Sequence, residues 1–217
     1  MTCEWRNIIH RENPYDGFPI YNWMPRIEGW GHNSVIFEEA IKLAKPEKII
    51  EVGSWLGASA INMAAMLEKH QVDAEILCVD TWLGCADTWL NMADPRCGSM
   101  CTHGHPNLYY QFLANIIHSK RTDVITPFPI DSANGARFLK IKQMFADIIY
   151  IDANHEHKPV LTDITMFWDI LKPGGIMVGD DYSLAWPGVV RAVWEFAENH
   201  SCVMDLNYSG KWALKKP

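Results

Sequence analysis

The chain has 217 residues, of which 48% are hydrophobic and 21% are charged, and its formal net charge is −7. This composition is that of an ordinary globular protein, and the length suits one domain, residues 1–217, with a full core. The acidic balance argues against a nucleic-acid partner, because neutralising phosphates requires clustered Lys and Arg. We therefore expect a small-molecule partner.

The amino-terminal residues point to the compartment. Five charged side chains in the first twenty residues leave no apolar stretch long enough for a signal peptide or a membrane span. The six cysteines are scattered, which suits free thiols in a reducing compartment better than a disulfide framework. We expect a cytoplasmic protein without membrane contact.

Residues 1 to about 32 are rich in aromatic residues, Pro and Gly and show no periodicity. One interpretation is an irregular segment that packs on the domain or on a second subunit, which is compatible with a homo-oligomer. The other is an aromatic wall of an acceptor pocket, since aromatic side chains provide a large contact area.

From residue 33 onward, helical patterns alternate with short β-branched runs. Helices are predicted over about 34–44, 58–69, 108–118, 131–142, 159–171 and 188–199. Strands are predicted over about 48–52, 75–80, 124–127, 146–152 and 176–180, and two final runs, 202–206 and 211–215, flank a hairpin-like break. This order predicts an α/β fold: a Rossmann-like, doubly wound, mostly parallel seven-stranded sheet with an antiparallel carboxy-terminal edge strand.

Residues 81–106 interrupt the alternation and are the least regular part of the chain. Loops longer than about 12 to 15 residues are usually functional lids or disordered, so we predict a lid-like insertion. It contains four candidate zinc ligands: Cys97, Cys101, His103 and His105. Ligands that alternate along one short strip rarely converge on a tetrahedron, so lid contacts with acceptor or cofactor are favoured over structural zinc.

Four of the predicted strands end on carboxylates: Glu51, Asp80, Asp152 and the pair Asp180-Asp181. In a parallel sheet the ligand lies beyond the carboxyl ends of the strands, so these acids should face one crevice.

A glycine turn follows the first predicted strand. Gly53 and Gly57 let the backbone turn tightly and approach a ligand, and the following helix offers free N–H groups. The G-x-x-x-G spacing differs from the G-x-G-x-x-G of nicotinamide-cofactor sites. Asp80, at the end of the second strand, is placed to accept hydrogen bonds from the two hydroxyls of a ribose.

These features occur in the order typical of a known family. The chain resembles class I S-adenosylmethionine-dependent methyltransferases over about residues 34 to 200, through these motifs: Glu51-Val52-Gly53-x-x-x-Gly57-x-Ser59, Asp80, Asp131-Ser132 and Leu171-Lys172-Pro173-Gly174-Gly175.

The resemblance implies a site for S-adenosylmethionine. Gly53, Gly57 and Ser59 would shape its methionine and ribose side, and Glu51 would lie near its amino-acid end, directly or through water. The adenine would lie near Asp131 and Ser132. Trp82, next to Asp80, is predicted to pack against the adenosine.

The remaining acids resemble those of the divalent-cation-dependent O-methyltransferases of the catechol and macrolide-sugar types. The resemblance implies Mg²⁺, or another divalent cation, held by Asp152, Asp180 and Asp181. A hard cation prefers several oxygen ligands, and adjacent strand ends would supply them. Without a cation, these carboxylates would repel one another and their pKa values would rise.

His155 lies three residues after Asp152, where the catechol-type enzymes have a lysine near the acceptor oxygen. The sequence departs from the family there, although an imidazole with a pKa near 6.5 can accept a proton from a hydroxyl. His157 is a competitor in the same loop. Asp152 and His155 are the predicted catalytic residues.

Together these features predict a Mg²⁺-assisted O-methyltransferase acting on a hydroxyl of a small polar molecule, such as a sugar or a secondary metabolite. One alternative is a metal-independent methyltransferase of the same fold, in which Asp152 or His155 acts alone as base. Another is an inactive cofactor-binding or interaction domain with a zinc-stabilised lid. Nothing in the sequence resembles a facial iron triad strongly enough to favour oxygen chemistry.

Overall fold

The computed structural model describes residues 3–29, 32–91, 93–94, 100–200, 202–208 and 210–217. Its centre is a seven-stranded sheet with the spatial order β5 (Ile125–Pro129), β2 (Glu75–Asp80), β1 (Lys48–Val52), β6 (Ala146–Ile151), β7 (Leu171–Gly179), β9 (Lys211–Lys215) and β8 (Val203–Tyr208). The first five are parallel neighbours, whereas β9 pairs antiparallel with both β7 and β8. The predicted α/β class and seven-stranded sheet are confirmed.

The described helices are α1 (Glu4–Ile9), a 3-10 turn (Ile20–Asn22), α2 (Val35–Ala44), α3 (Ala58–Lys69), α4 (Ala86–Leu90), α5 (Leu108–His118), α6 (Ser132–Ile141), α7 (His157–Trp168) and α8 (Pro187–His200). Two very short strands, β3 (Cys101–Thr102) and β4 (His105–Pro106), form a separate hairpin. None of the helices in the described ranges combines the length and the apolar composition that crossing a lipid bilayer requires.

Both faces of the sheet are buried, which explains why its strands are continuous apolar runs. Alternate residues such as Ile50 and Leu77 pack with α6, α7 and α8 in one hydrophobic cluster. Their neighbours, such as Ile49 and Ile76, pack with α2, α3 and α5 in another. This double coverage leaves the carboxyl ends of the strands as the place for a ligand.

The amino-terminal segment packs on this domain. Trp5 and Tyr15 are buried, and the Tyr15 hydroxyl donates to the carbonyl of Ile125 at 2.9 Å. The ring of Trp23 packs against that of Tyr110 on α5, with centroids 5.9 Å apart. The described aromatic residues therefore support the interpretation that this segment packs on the domain. Trp30 lies outside the described ranges.

Candidate active site

A cavity of about 570 Å³ lies beyond the carboxyl ends of the parallel strands. Small-molecule sites typically fall between about 300 and 1,000 Å³. The loops after β1, β2, β5, β6 and β7 contribute to its wall, and so do α4 and the amino-terminal residues Glu28, Gly29 and His32. The crevice predicted from the strand-end acids therefore exists.

The described wall of this cavity is strongly acidic. It contains at least eight carboxylates: Glu28, Asp80, Asp87, Asp94, Asp131, Asp152, Asp180 and Asp181. Clefts lined by one sign of charge concentrate ligands of the opposite sign. This wall thus favours a cationic ligand and disfavours an anionic one.

The glycine turn forms the floor of the cavity. Gly53 has φ +85°, and a Cβ there would lie 2.1 Å from the carbonyl oxygen of Asp152. Gly57 also has φ +85° and precedes α3, with the ring of Phe112 packed beside it. Both positions require glycine, and the first brings the turn into direct contact with the loop after β6.

Asp80 holds this turn to the end of β2. Its Oδ2 accepts from the backbone N–H of Ser54 at 2.8 Å and of Trp55 at 2.9 Å. Its Oδ1 accepts from the N–H of Trp82 at 2.7 Å. Because a carboxylate offers about four acceptor positions, this leaves limited capacity for a ribose, and the ribose role of Asp80 stays a prediction.

Two residues predicted to contact the cofactor, Glu51 and Trp82, are buried outside the cavity lining, and their cofactor roles stay predictions. Glu51 is fully buried, accepts from the Ser59 hydroxyl and from Cys78 Sγ, and has a pKa raised by burial. Trp82 is only 1% exposed, and its indole N–H donates to the carbonyl of Trp55 at 2.8 Å. Glu51 supports Ser59, which does line the cavity, and Trp82 supports the turn.

Asp131 and Ser132 line the cavity after β5, as predicted for the adenine side. Asp131 caps α6 by accepting from the N–H of Asn134 at 3.0 Å. The Ser132 hydroxyl donates to Oδ1 of Asp163 on α7 at 2.6 Å. Burial raises the pKa of Asp163 to about 6. Their contact with adenine stays a prediction.

Asp152 and Asp180 share a buried hydrogen-bond network. The Tyr150 hydroxyl lies 2.8 Å from Asp152 Oδ2 and 3.1 Å from Asp180 Oδ2. The ammonium of Lys211 on β9 contacts Asp180 Oδ2 and lies 3.0 Å from the Tyr150 hydroxyl. Burial, reinforced by the charge of Asp180, raises the pKa of Asp152 to about 7.

Asp181 is paired elsewhere. His155 Nε2 lies 2.9 Å from Asp181 Oδ2, and His155 Nδ1 lies 3.0 Å from Asp87 Oδ2 on α4. The imidazole also stacks on Trp186, with ring centroids 3.9 Å apart. Hydrogen bonding to Asp181, opposed by burial and assisted by Asp87, raises the pKa of His155 to about 9. His155 is therefore protonated at neutral pH and bridges the insertion to the sheet.

This arrangement does not fit a divalent cation. Each of the three predicted ligands, Asp152, Asp180 and Asp181, already has a protein partner. No group of three or more His, Cys, Asp or Glu side chains within the described ranges is arranged to hold a metal ion. Within the predicted insertion, the described residues Cys101 to Pro106 form the β3–β4 hairpin, in which His103 and His105 are exposed. Cys97 lies outside the described residues.

Four residues of the site were not predicted: Tyr150, Lys211, Asp87 and Trp186. The sequence could have identified Tyr150, because it lies two residues before Asp152 in a predicted strand and its side chain therefore points to the same face of the sheet. No sequence pattern indicated Lys211, because it reaches the site only through the pairing of β9 with β7 in the sheet.

Comparison with known proteins places this geometry in context. Residues 50–182 match the family model of the methyltransferase domain. The calicheamicin methyltransferase CalS11 superposes with a TM-score of 0.62 at 18% identity, covering 83% of this chain and 77% of that one. The O-methyltransferase TomG from Streptomyces achromogenes, involved in tomaymycin synthesis and in complex with SAM, gives 0.59 at 13% identity, covering 89% and 82%.

A third solved structure, the O-methyltransferase from Bacillus cereus in complex with SAH, gives a TM-score of 0.56 at 12% identity, covering 90% of this chain and 86% of that one. These likenesses show a shared fold. No curated protein sequence matches the chain.

Proposed function

Because this chain belongs to the methyltransferase domain family, we propose that it transfers the methyl group of S-adenosylmethionine to a hydroxyl of a small polar molecule. The predicted enzyme class, a methyltransferase, is confirmed by this membership. Two features of the cavity support the donor: a glycine turn at the strand ends, and an acidic wall that suits a sulfonium cation.

When bound, the donor supplies a methyl group that its sulfonium already activates. The protein then has to align the acceptor and remove the hydroxyl proton as the oxygen–carbon bond forms and the carbon–sulfur bond breaks. Gly53, Ser59, Asp131 and Ser132 are the proposed contacts of the donor. Gly57 and Asp80 maintain the turn that carries them.

Asp152 is the proposed proton acceptor, and its position is the observation that carries this mechanism. It lines the cavity next to Gly53, and Tyr150 orients its carboxylate. His155 is less suited, because both of its ring nitrogens already face carboxylates. We propose that His155 instead holds α4 against the cavity.

We do not propose the Mg²⁺-assisted mechanism that the family resemblance implies. The pairing of Asp180 with Lys211 and of Asp181 with His155 supports the metal-independent alternative.

The acidic charge of the cavity limits the range of methyl acceptors. Several carboxylates facing one space disfavour a phosphate or carboxylate on the substrate. We propose neutral or cationic hydroxyl compounds, such as unphosphorylated sugars or amino sugars.

Methyl transfer from radiolabelled S-adenosylmethionine to a panel of sugars, amino sugars and nucleotide sugars tests this function. Asp152→Asn should lower turnover about 10²- to 10⁴-fold, the usual contribution of a general base, while donor affinity stays unchanged. Asp73→Asn, an exposed acid before β2, is the matched control. Full activity of Asp152→Asn, or a preference for nucleotide sugars, would contradict the proposal.

A further inference from the structure

Lys211 is buried to an extent that is unusual for a lysine. Its side chain is 1% exposed, and its ammonium lies over the rings of Phe37 and Tyr150, 5.3 and 5.0 Å from their centroids. Burying an ammonium is costly unless a charge and hydrogen bonds compensate it. Asp180 provides the charge, and the Tyr150 hydroxyl accepts a second hydrogen bond.

The same ammonium also acts on Asp152. The Tyr150 hydroxyl accepts from Lys211 and lies within hydrogen-bond distance of both Asp152 and Asp180. One cationic group therefore organises the two strand-end acids of β6 and β7. The third acid, Asp181, is held 2.9 Å from His155.

An ammonium and a divalent cation exclude each other at this position. A hard cation binds carboxylate oxygens directly, and Asp180 already gives Oδ2 to Lys211 and Oδ1 to the N–H of Asp181. Two positive groups at such short range also repel each other strongly in a buried setting.

We propose that Lys211 is a built-in counter-ion, which takes the place of a divalent cation beside Asp180 and, through the Tyr150 hydroxyl, holds Asp152 in position for proton removal. The counter-ion role stands on the geometry alone, and the positioning role rests on the proposed function. Lys211 does not touch the reacting atoms, so it is a positioning residue.

Titration calorimetry with MgCl₂ or MnCl₂ alone, without donor or acceptor, tests the counter-ion role. The wild-type protein should show no metal binding at millimolar concentrations. Lys211→Met should gain a metal site that binds at least about tenfold more tightly than the wild type does, because the neighbouring carboxylates Asp152 and Asp180 then lack their cation. Lys211→Arg, which keeps the charge, should resemble the wild type, and Lys211→Met/Asp180→Asn should lose the gained site.

Stoichiometric metal binding by the wild type, abolished by Asp180→Asn, would overturn the counter-ion role, and this arm requires no variant of Lys211. A folded Lys211→Met protein that gains no metal site would also overturn it. Since neither readout involves methyl transfer, failure here is distinguishable from failure of the proposed function.

The positioning role has its own readout. Lys211→Met should lower kcat while leaving donor affinity unchanged, and Lys211→Arg should recover part of the rate. Wild-type turnover should survive exhaustive chelation. A loss of activity on chelation that Mg²⁺ restores would contradict the proposal.

Discussion

The side chain of Asn115 forms reciprocal hydrogen bonds with the backbone of Arg26. The Arg26 N–H donates to Asn115 Oδ1 at 2.8 Å, and Asn115 Nδ2 donates to the Arg26 carbonyl at 2.8 Å. The same amide donates to the carbonyl of Leu56 at 2.9 Å, next to the glycine turn. One buried amide on α5 thus joins the amino-terminal segment, which reaches the cavity at Glu28, to the proposed donor site.

Asn115→Leu should destabilise the protein strongly. Leucine has a similar volume but leaves the backbone groups of Arg26 and Leu56 without this partner, and each buried orphan costs about 1–3 kcal/mol. We expect the free energy of unfolding in urea to fall by about 3 kcal/mol or more, and donor affinity to fall with it. Asn199→Leu, at an exposed position of α8, controls for the change of residue type. Equal losses in both variants would show that the bridge contributes little.

Gly53→Ala should be far more damaging than Gly174→Ala. Both glycines have positive φ, +85° and +77°, but a Cβ at Gly174 meets nothing within 4 Å, whereas at Gly53 it meets the Asp152 carbonyl. Gly174→Ala should cost about 1–2 kcal/mol from the left-handed backbone alone. Gly53→Ala should cost more and abolish donor binding in calorimetry. Similar stability of the two variants would argue against the contact between the turn and Asp152.

Asp80→Asn should loosen the glycine turn. The two Asp80 oxygens accept from three backbone N–H groups, and an asparagine would present its own N–H₂ to at least one of them. We expect a loss of about 2 kcal/mol in unfolding free energy, since a buried donor is left unsatisfied. Asp131→Asn is the control, because asparagine caps helices as well as aspartate does. The idea fails if thermal denaturation cannot tell the two variants apart.

Asp163 should make stability depend on pH. Its folded-state pKa is raised by burial from 3.8 to about 6, so the folded protein binds its proton more tightly than the unfolded chain does. The contribution of Asp163 to the free energy of unfolding is therefore fully present below about pH 4 and is lost as the pH rises through about 6. The loss amounts to about 3 kcal/mol at most.

Asp163→Asn should remove this dependence. The difference in unfolding free energy between Asp163→Asn and the wild type should grow between pH 4 and pH 7. Asp169→Asn, which makes the same change at an exposed position at the end of α7, is the matched control. A flat difference for Asp163→Asn would mean that this carboxyl is not perturbed.

The parts of the fold that could be predicted are those where an apolar run is bounded by clear breaks. The run from Lys48 to Val52 ends at Gly53, and the observed β1 has these bounds. The elements α1, α4 and the β3–β4 hairpin were missed, because such short segments depend on tertiary contacts rather than on their own periodicity.

The site was predictable as a location but not as a set of contacts. Strand ends indicated where Asp80, Asp152 and Asp180 would gather. The sequence did not predict the direction in which a side chain points. Trp82 follows β2, but its backbone adopts φ +54° and its ring is buried in the core. The partner of Asp180 was equally hidden, because Lys211 comes from a strand 31 residues further along the chain.

The position of β9 has a consequence for how the chain assembles. β9 follows the six other strands of the sheet along the chain, although in space it lies between β7 and β8. Ribosomes release strands in chain order, and folding begins before synthesis ends. The acids of β6 and β7 are therefore translated before the ammonium that balances them. Until the closing hairpin docks, these acids lack the cationic partner that Lys211 provides in the folded protein.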